Sequence, residues 1–126
     1  MKVLLTGIAG FAGSKIASGL IALHPNIKII GLDNFSRKGT EQNIQRLAQN
    51  RIDLIRADIR SQSDIDALPK VDWIIDCAAN PSVLAGIDGG VSSRQVIENN
   101  LYGTINLLEY CKKHKTGLIL LSTSRV

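Results

Sequence analysis

Residues 6–13 read Thr-Gly-Ile-Ala-Gly-Phe-Ala-Gly, with glycines at 7, 10 and 13. That spacing suits a turn that cradles phosphate. Gly7 permits a tight turn off a strand, Gly10 lets the backbone approach a pyrophosphate, and Gly13 lets a helix pack closely on a sheet. A helix opening here offers unpaired N–H groups and the positive end of its dipole to phosphate oxygens. Asp33 stands 20 residues beyond Gly13, where an acid can accept hydrogen bonds from both hydroxyls of an adenosine ribose. The same carboxylate repels a 2′-phosphate, which points to NAD rather than NADP. Ser36-Arg37-Lys38 is the counter-signal, since its charges could neutralise that phosphate. A solvated loop, or contact with the cofactor's own phosphates, is the plainer reading of Arg37 and Lys38.

Two further stretches carry chemistry. Asp58 can accept from an adenine amino group while Ile59 lies against the ring; a helix N-cap is the competing role for Asp58. Cys77-Ala78-Ala79-Asn80 places small residues where a flat ligand needs room, or where packing is simply tight. Cys77 and Cys111 lack metal-ligand spacing, so no metal is expected and both read as reduced thiols.

These residues are positioned by an alternation of two apolar patterns. Short β-branched runs at 3–5, 27–32, 52–55, 71–75 and 118–121 read as strands buried on both faces. Between them lie helical patterns. Phe11 to Leu23 has Phe11, Ile16, Leu20 and Leu23 as its apolar side, and Glu41 to Gln49 has Ile44 and Leu47. A brief helix over Ile65 and Leu68 finds N-caps in 61–64 and a stop at Pro69. The long helix from Ser92 to His114 carries a stripe of Ile97, Leu101, Ile105, Leu108 and Cys111, expected to face the sheet, with half of a dimer interface as the alternative. Tyr102 and Tyr110 on that helix read as packing residues. Strand and helix in alternation mean βαβ units and one α/β domain over 1–126, a doubly wound parallel sheet of five strands in the order 3-2-1-4-5 with helices on both faces. Gly86-Ile87-Asp88-Gly89-Gly90 is expected to be the most mobile loop.

Composition limits the partners. The chain has 126 residues, 44% hydrophobic and 21% charged, as in an ordinary globular domain. Its net charge of +4 is scattered, and the densest basic run, Lys112-Lys113-His114-Lys115, ends a predicted helix where cations complement the dipole. That argues against a nucleic-acid partner. No stretch reaches the roughly 18 apolar residues of a membrane span, and the N-terminal apolar run is too short for a signal-peptide core. A soluble, cytoplasmic protein without membrane contact is expected.

Six blocks in order, residues 6–13, Asp33-Asn34, Asp58-Ile59, 77–79, Asn100-Leu101-Tyr102-Gly103-Thr104 and Ser122-Thr123-Ser124-Arg125-Val126, resemble the extended short-chain dehydrogenase/reductase family, in particular its NAD-dependent sugar-nucleotide epimerases and dehydratases. The resemblance implies a Rossmann-type fold with NAD as cofactor. It implies that Gly7, Ala9, Gly10, Phe11, Ala12 and Gly13 bind the pyrophosphate. Asp33 and Asn34, with Ser36 and Arg37 nearby, would bind the adenosine ribose, and Asp58 and Ile59 the adenine. Ala78, Ala79 and Asn80 would line the path to the nicotinamide ribose, with Asn100 supporting the ends of strands four and five. Gly103-Thr104 within the long helix would mark a close approach of helix to sheet. Thr123 matches the family's catalytic serine or threonine, whose hydroxyl hydrogen-bonds the sugar oxygen being oxidised and assists a tyrosine base; on its own it is a polar residue at a strand end.

The family's Tyr-x-x-x-Lys set is absent: Asn106 and His114 stand four residues after Tyr102 and Tyr110. The chain therefore resembles the N-terminal part of a longer enzyme and is expected to be inactive alone. Within the family, the 33–39 loop and the Ser-Thr-Ser-Arg-Val stretch look like the CDP-paratose (CDP-tyvelose) 2-epimerase branch, in which NAD transiently oxidises a sugar carbon and hydride returns to the opposite face. UDP-sugar 4-epimerases are the alternative. Ser124-Arg125 replaces the Asp-Glu of the dehydratase branch and argues against dehydration. A nucleotide-sugar substrate and a homodimer through helix 92–114 follow from the same resemblance. A regulatory NAD-binding module without chemistry is the reading from another class.

Overall fold

The computed structural model describes residues 1–50, 52–78 and 92–122, with Asn99 described for its backbone alone. Five strands are β1 (Lys2–Thr6), β2 (Lys28–Asp33), β3 (Asp53–Arg56), β4 (Trp73–Asp76) and β5 (Gly117–Leu120). They form one parallel sheet in the order β3-β2-β1-β4-β5, as the alternating pattern predicts. The helices are α1 (Phe11–Leu23), α2 (Glu41–Gln49), α3 (Gln62–Asp66), α4 (Ser93–Ile97) and α5 (Gly103–His114), with a π-helical turn at Glu98–Tyr102 joining the last two. The predicted long helix is thus one helix with an underwound, π-type turn in its middle.

Side-chain alternation along the strands splits the core into two layers. Val3, Leu5, Ile29 and Ile75 point to the α1–α2 side, where they meet Ala17, Leu47 and the partly buried Ile16 and Leu20. Leu4, Ile30, Leu32 and Ile74 point to the other side and meet Ile65, Leu107, Tyr110 and Cys111. The two central strands nearest the glycine turn are therefore apolar on both faces, which is why they read as unbroken hydrophobic runs.

Three expectations are corrected. The two edge strands are not buried on both faces: no residue of β3 is fully buried, and Ile119, Leu120 and Leu121 at β5 are exposed, because the sheet ends at these strands among the described residues. On α1, Phe11 and Leu23 face outward, and Gly13, Ser14 and Ala17 form the buried side. On the long helix, Ile97, Leu101 (52% exposed), Ile105 and Leu108 form an exposed stripe. The sheet-facing side is instead Gly103, Leu107, Tyr110 and Cys111. Tyr110 packs as expected, its hydroxyl donating to the Pro69 carbonyl at 2.8 Å, whereas Tyr102 is exposed.

Other local signals hold. Ser61 caps α3, accepting from the Asp64 N–H at 3.3 Å. α5 ends at His114 with Lys115 in the left-handed region, φ 55°, its basic last turn lying at the negative end of the dipole. The 86–90 loop lies outside the described residues. Among the described residues no helix is long and apolar enough to cross a membrane.

Candidate functional site

The C-terminal ends of β1, β2, β3 and β4 converge on the glycine turn. Gly7 adopts φ +61°, and a Cβ there would lie 2.7 Å from the Cys77 carbonyl oxygen. The turn off β1 therefore sits directly on the Cys77–Ala78 peptide. Gly13 is glycine for a different contact than expected: a Cβ would overlap the Gly7 carbonyl oxygen and lie 2.8 Å from Ile8 Cα, so α1 packs on the turn itself. Gly10 has ordinary extended dihedrals, φ −72° and ψ 173°. A Cβ at Gly10 would meet only the Gly7 carbonyl oxygen, at 3.2 Å. The backbone conformation does not demand glycine at this point, and the contact with the Gly7 carbonyl is tight.

α1 starts at Phe11 with no side-chain cap. Ser14 N–H donates to Gly10 O at 3.0 Å and Gly10 N–H to Gly7 O at 3.0 Å. The N–H groups of the first turn, at Phe11 and Ala12, face the exposed end of the helix, where an anion is the natural acceptor.

Asp33 reaches into this turn. Its Oδ2 accepts from the Ala9 N–H at 3.0 Å, and its Oδ1 accepts from the Phe35 N–H at 2.9 Å. Phe35 adopts φ 53°, and the Asp33 contact is what secures it there. Each carboxylate oxygen retains acceptor capacity, as ribose hydroxyls require. Asn34 Oδ1 accepts from Ser36 N–H and Oγ, at 3.0 and 2.8 Å, which shapes the same loop. Ser36, Arg37 and Lys38 are exposed.

Asp58 is not a helix cap, because Ser61 has that place. Its carboxylate is gripped by Arg60, through Nη2 to Oδ2 at 2.6 Å and Nε to Oδ1 at 3.0 Å. The Arg60 guanidinium, helped by the Asn34 side chain and opposed by burial, holds the Asp58 carboxyl below the usual carboxylate range. Ile59 is 5% exposed, and its side chain abuts Gly103, where a Cβ would overlap Ile59 Cδ1. The close approach expected at Gly103 is thus made to Ile59, and little of the Ile59 side chain is left to lie against a base. Asn106 Nδ2 fastens the same residue from α5, donating to the Ile59 carbonyl at 2.8 Å.

At the other end, Thr6 and Asp76 form a buried pair. Thr6 Oγ1 donates to Asp76 Oδ1 at 2.5 Å and accepts from the N–H groups of Cys77 and Ala78, at 3.2 and 3.3 Å. Ala78 N–H also reaches Asp76 Oδ1, at 3.1 Å. Burial pushes the Asp76 carboxyl up, with the two hydrogen bonds opposing it. Burial, then the nearby Asp76 charge, pushes the Cys77 thiol up to about 11, so it stays protonated and unreactive. Both cysteines are free.

Ala79, Asn80 and Thr123 lie outside the described residues. Asn100 lies in the π-helical turn, where its carbonyl accepts from Thr104 Oγ1 at 3.3 Å. Sequence reasoning missed Asn43, Thr6, Asp76 and Arg60 as parts of this site. Asp76 had a signal, an acid closing an apolar run; Asn43 had none, being one polar residue among many on α2. Asn43 Nδ2 donates to the Ala9 carbonyl at 2.9 Å. No cluster of three or more metal-ligating side chains occurs among the described residues.

The chain belongs to the NAD dependent epimerase/dehydratase family, whose model matches residues 3–126. NAD is the cofactor of that family, and the glycine-lined turn, the uncapped α1 and the Asp33 carboxylate fit it. The chain is 33% identical over 132 residues to CDP-paratose 2-epimerase of Salmonella typhi, covering 100% of this chain and 38% of that protein. It is 32% identical over 134 residues to UDP-glucose 4-epimerase of Pisum sativum, covering 98% and 36%. Among solved structures, it resembles UDP-glucuronic acid 4-epimerase from Bacillus cereus, in complex with UDP-4-deoxy-4-fluoro-glucuronic acid and NAD. That match has a TM-score of 0.85 and 34% identity, covering 98% of this chain and 40% of the other. The chain thus spans about two fifths of the length of the relatives it matches.

Proposed function

We propose that residues 1–126 are the NAD-binding domain of a nucleotide-sugar epimerase, which oxidises a sugar carbon transiently and returns the hydride to its other face. The observation that carries this is the bond from Ala9 N–H to Asp33 Oδ2. It joins a phosphate-binding turn to a ribose-binding acid in one rigid unit. In this reading the first turn of α1 holds the pyrophosphate, with Gly10, Phe11 and Ala12 at the contact. Asp33 and Asn34 hold the adenosine ribose and Asp58 the adenine. Ala78, Ala79 and Asn80 would line the path to the nicotinamide ribose, and Asn100 would support the ends of strands four and five. NAD, when bound, supplies the hydride acceptor and donor. This chain's residues supply orientation and exclude a 2′-phosphate.

Thr123 would hydrogen-bond the sugar oxygen. The tyrosine base and its lysine are not among these residues, since neither Tyr102 nor Tyr110 has a lysine four positions on. The chain alone is therefore inactive in this reading. Similarity to the Salmonella typhi relative supports a CDP-sugar 2-epimerase, and near-equal similarity to the Pisum sativum relative keeps a UDP-sugar 4-epimerase as the second reading. The exposed stripe Ile97, Leu101, Ile105 and Leu108 supports a homodimer through helix 92–114. Free Cys77 and Cys111 support a reducing compartment, the cytoplasm.

Paired calorimetric titration of the chain with NAD and NADP tests the cofactor assignment. NAD should bind and NADP should bind at least about tenfold more weakly, the cost of setting an anion against Asp33. Equal binding of the two, or none, overturns it. Turnover of a nucleotide sugar by the purified chain would contradict the absence of a base.

A further inference from the structure

We infer that Arg60 is a positioning residue for base recognition, holding the Asp58 carboxylate in the one orientation that accepts a 6-amino purine and turns away a 6-oxo purine. The inference rests on the reading of Asp58 as the adenine-facing acid.

Arg60 surrounds Asp58 on most of its acceptor sites. Asp58 Oδ1 accepts the Arg60 backbone N–H at 2.9 Å and Nε at 3.0 Å. Oδ2 accepts Nη2 at 2.6 Å and, more distantly, Nε at 3.1 Å. An ionised carboxylate has about four lone-pair sites. Arg60 brings three N–H donors to these sites, with Nε shared between the two oxygens, so capacity is left for about one further donor. The fork geometry of a guanidinium fixes the carboxylate plane as well as its position, which a single point charge does not.

The guanidinium faces an acid on the helical side. Its Nη1 lies 4.0 Å from Glu98 Oε2, and Glu98 Oε1 accepts from Arg94 Nε at 2.8 Å. The backbone beneath it is fastened by Asn106 to the Ile59 carbonyl. Asp58, Arg60, Glu98 and Tyr102 all line one open groove between the loop after β3 and the long helix. The pair is therefore accessible to a ligand and not sealed in the core.

The chemistry of discrimination follows. A carboxylate kept ionised by its arginine has acceptors only. A 6-amino group donates to it. A 6-oxo group presents lone pairs to it and leaves a desolvated acceptor unpaired. Without Arg60 the carboxylate regains its rotamers and can swing away from either base, so the discrimination falls more than the affinity for the shared ribose and phosphates.

The test is equilibrium binding of NAD and of nicotinamide hypoxanthine dinucleotide, its 6-oxo counterpart, to the chain and its variants. The unaltered chain should prefer NAD by about tenfold, the value of one well-placed hydrogen bond. Arg60→Met should bring the preference to within about twofold, with a circular dichroism spectrum like that of the unaltered chain. Arg60→Lys keeps the charge, loses the fork and should fall between. If Arg60→Met does not fold, the Arg60→Lys preference decides: it must drop. An unchanged preference in the folded variants overturns the role of Arg60. Equal binding of both dinucleotides by the unaltered chain overturns the reading of Asp58. Failure to bind NAD at all overturns the cofactor assignment and this inference with it.

Discussion

Asn43 on α2 donates its amide N–H to the Ala9 carbonyl at 2.9 Å, across 34 residues of sequence. Asp33 accepts the Ala9 N–H from the opposite side. Both backbone polar groups of Ala9, a fully buried residue, are thus taken by side chains from two different elements. The turn is preorganised before any phosphate arrives, and binding need not order it.

Asn43→Ala should therefore weaken NAD about threefold to tenfold, with a stability loss of about 1 kcal/mol for one hydrogen bond. Asn43→Asp should be worse, because an acceptor would then face the Ala9 carbonyl and a negative charge the phosphates. Calorimetric titration alongside urea unfolding separates the two effects. Wild-type affinity in both variants would show that the turn is held by Asp33 alone.

Asp33→Ala should abolish most of the preference for NAD over NADP while also loosening the turn. Asp33→Asn keeps acceptor capacity and should retain more NAD affinity than Ala while tolerating NADP better than Asp does. Paired titrations measure both. A preference unaltered in Asp33→Ala would assign the selectivity elsewhere.

Thr6→Val removes the hydroxyl that serves Asp76, Cys77 and Ala78 and leaves a carboxylate of 2% exposure short of its donor. A loss of about 2–3 kcal/mol is expected by urea unfolding, with Thr6→Ser recovering most of it. The pH dependence has a definite sign. Asp76 has its carboxyl raised above 3.8 by burial, so the folded state holds this proton more tightly than the unfolded chain does. Its contribution to stability is fully present below about 3.8 and is lost as pH rises through the folded value. Asp58, lowered by Arg60, acts in the opposite sense and loses its contribution as pH falls through its own folded value. Asp76→Asn should flatten the fall in stability just above pH 3.8; an unaltered profile would exclude Asp76 as its source.

Gly13→Ala and Gly19→Ala lie on the same helix and should differ in sign. A Cβ at Gly13 would run into the backbone of Gly7 and Ile8, which cannot yield as a side chain does. A loss of about 3 kcal/mol or more, or failure to fold, is expected. At Gly19 nothing lies within 4 Å, so alanine should stabilise by roughly 0.5–1 kcal/mol through helix propensity. Thermal unfolding of the two variants compares them directly.

The amino-acid sequence by itself determined the order and type of the elements, the place of the glycine turn and the position of Asp33. These are local matters. Apolar period separates strand from helix, and a turn with φ +61° at residue 7 favours glycine. Which face of a helix becomes core is not local. Ile97, Leu101, Ile105 and Leu108 satisfy helical spacing as well as Gly103, Leu107, Tyr110 and Cys111 do, and only one set can meet the sheet. The π-helical turn at Glu98–Tyr102 shifts the phase between α4 and α5, and no spacing rule reveals it. Ile59 settles the choice, since only the face bearing Gly103 leaves room for it. Asn43 and the Thr6–Asp76 pair depend on the tertiary structure in the same way. A polar side chain shows its type in the sequence, whereas its partner is whichever backbone or carboxylate the parallel sheet brings beside it, 34 residues away for Asn43 and 70 for Thr6.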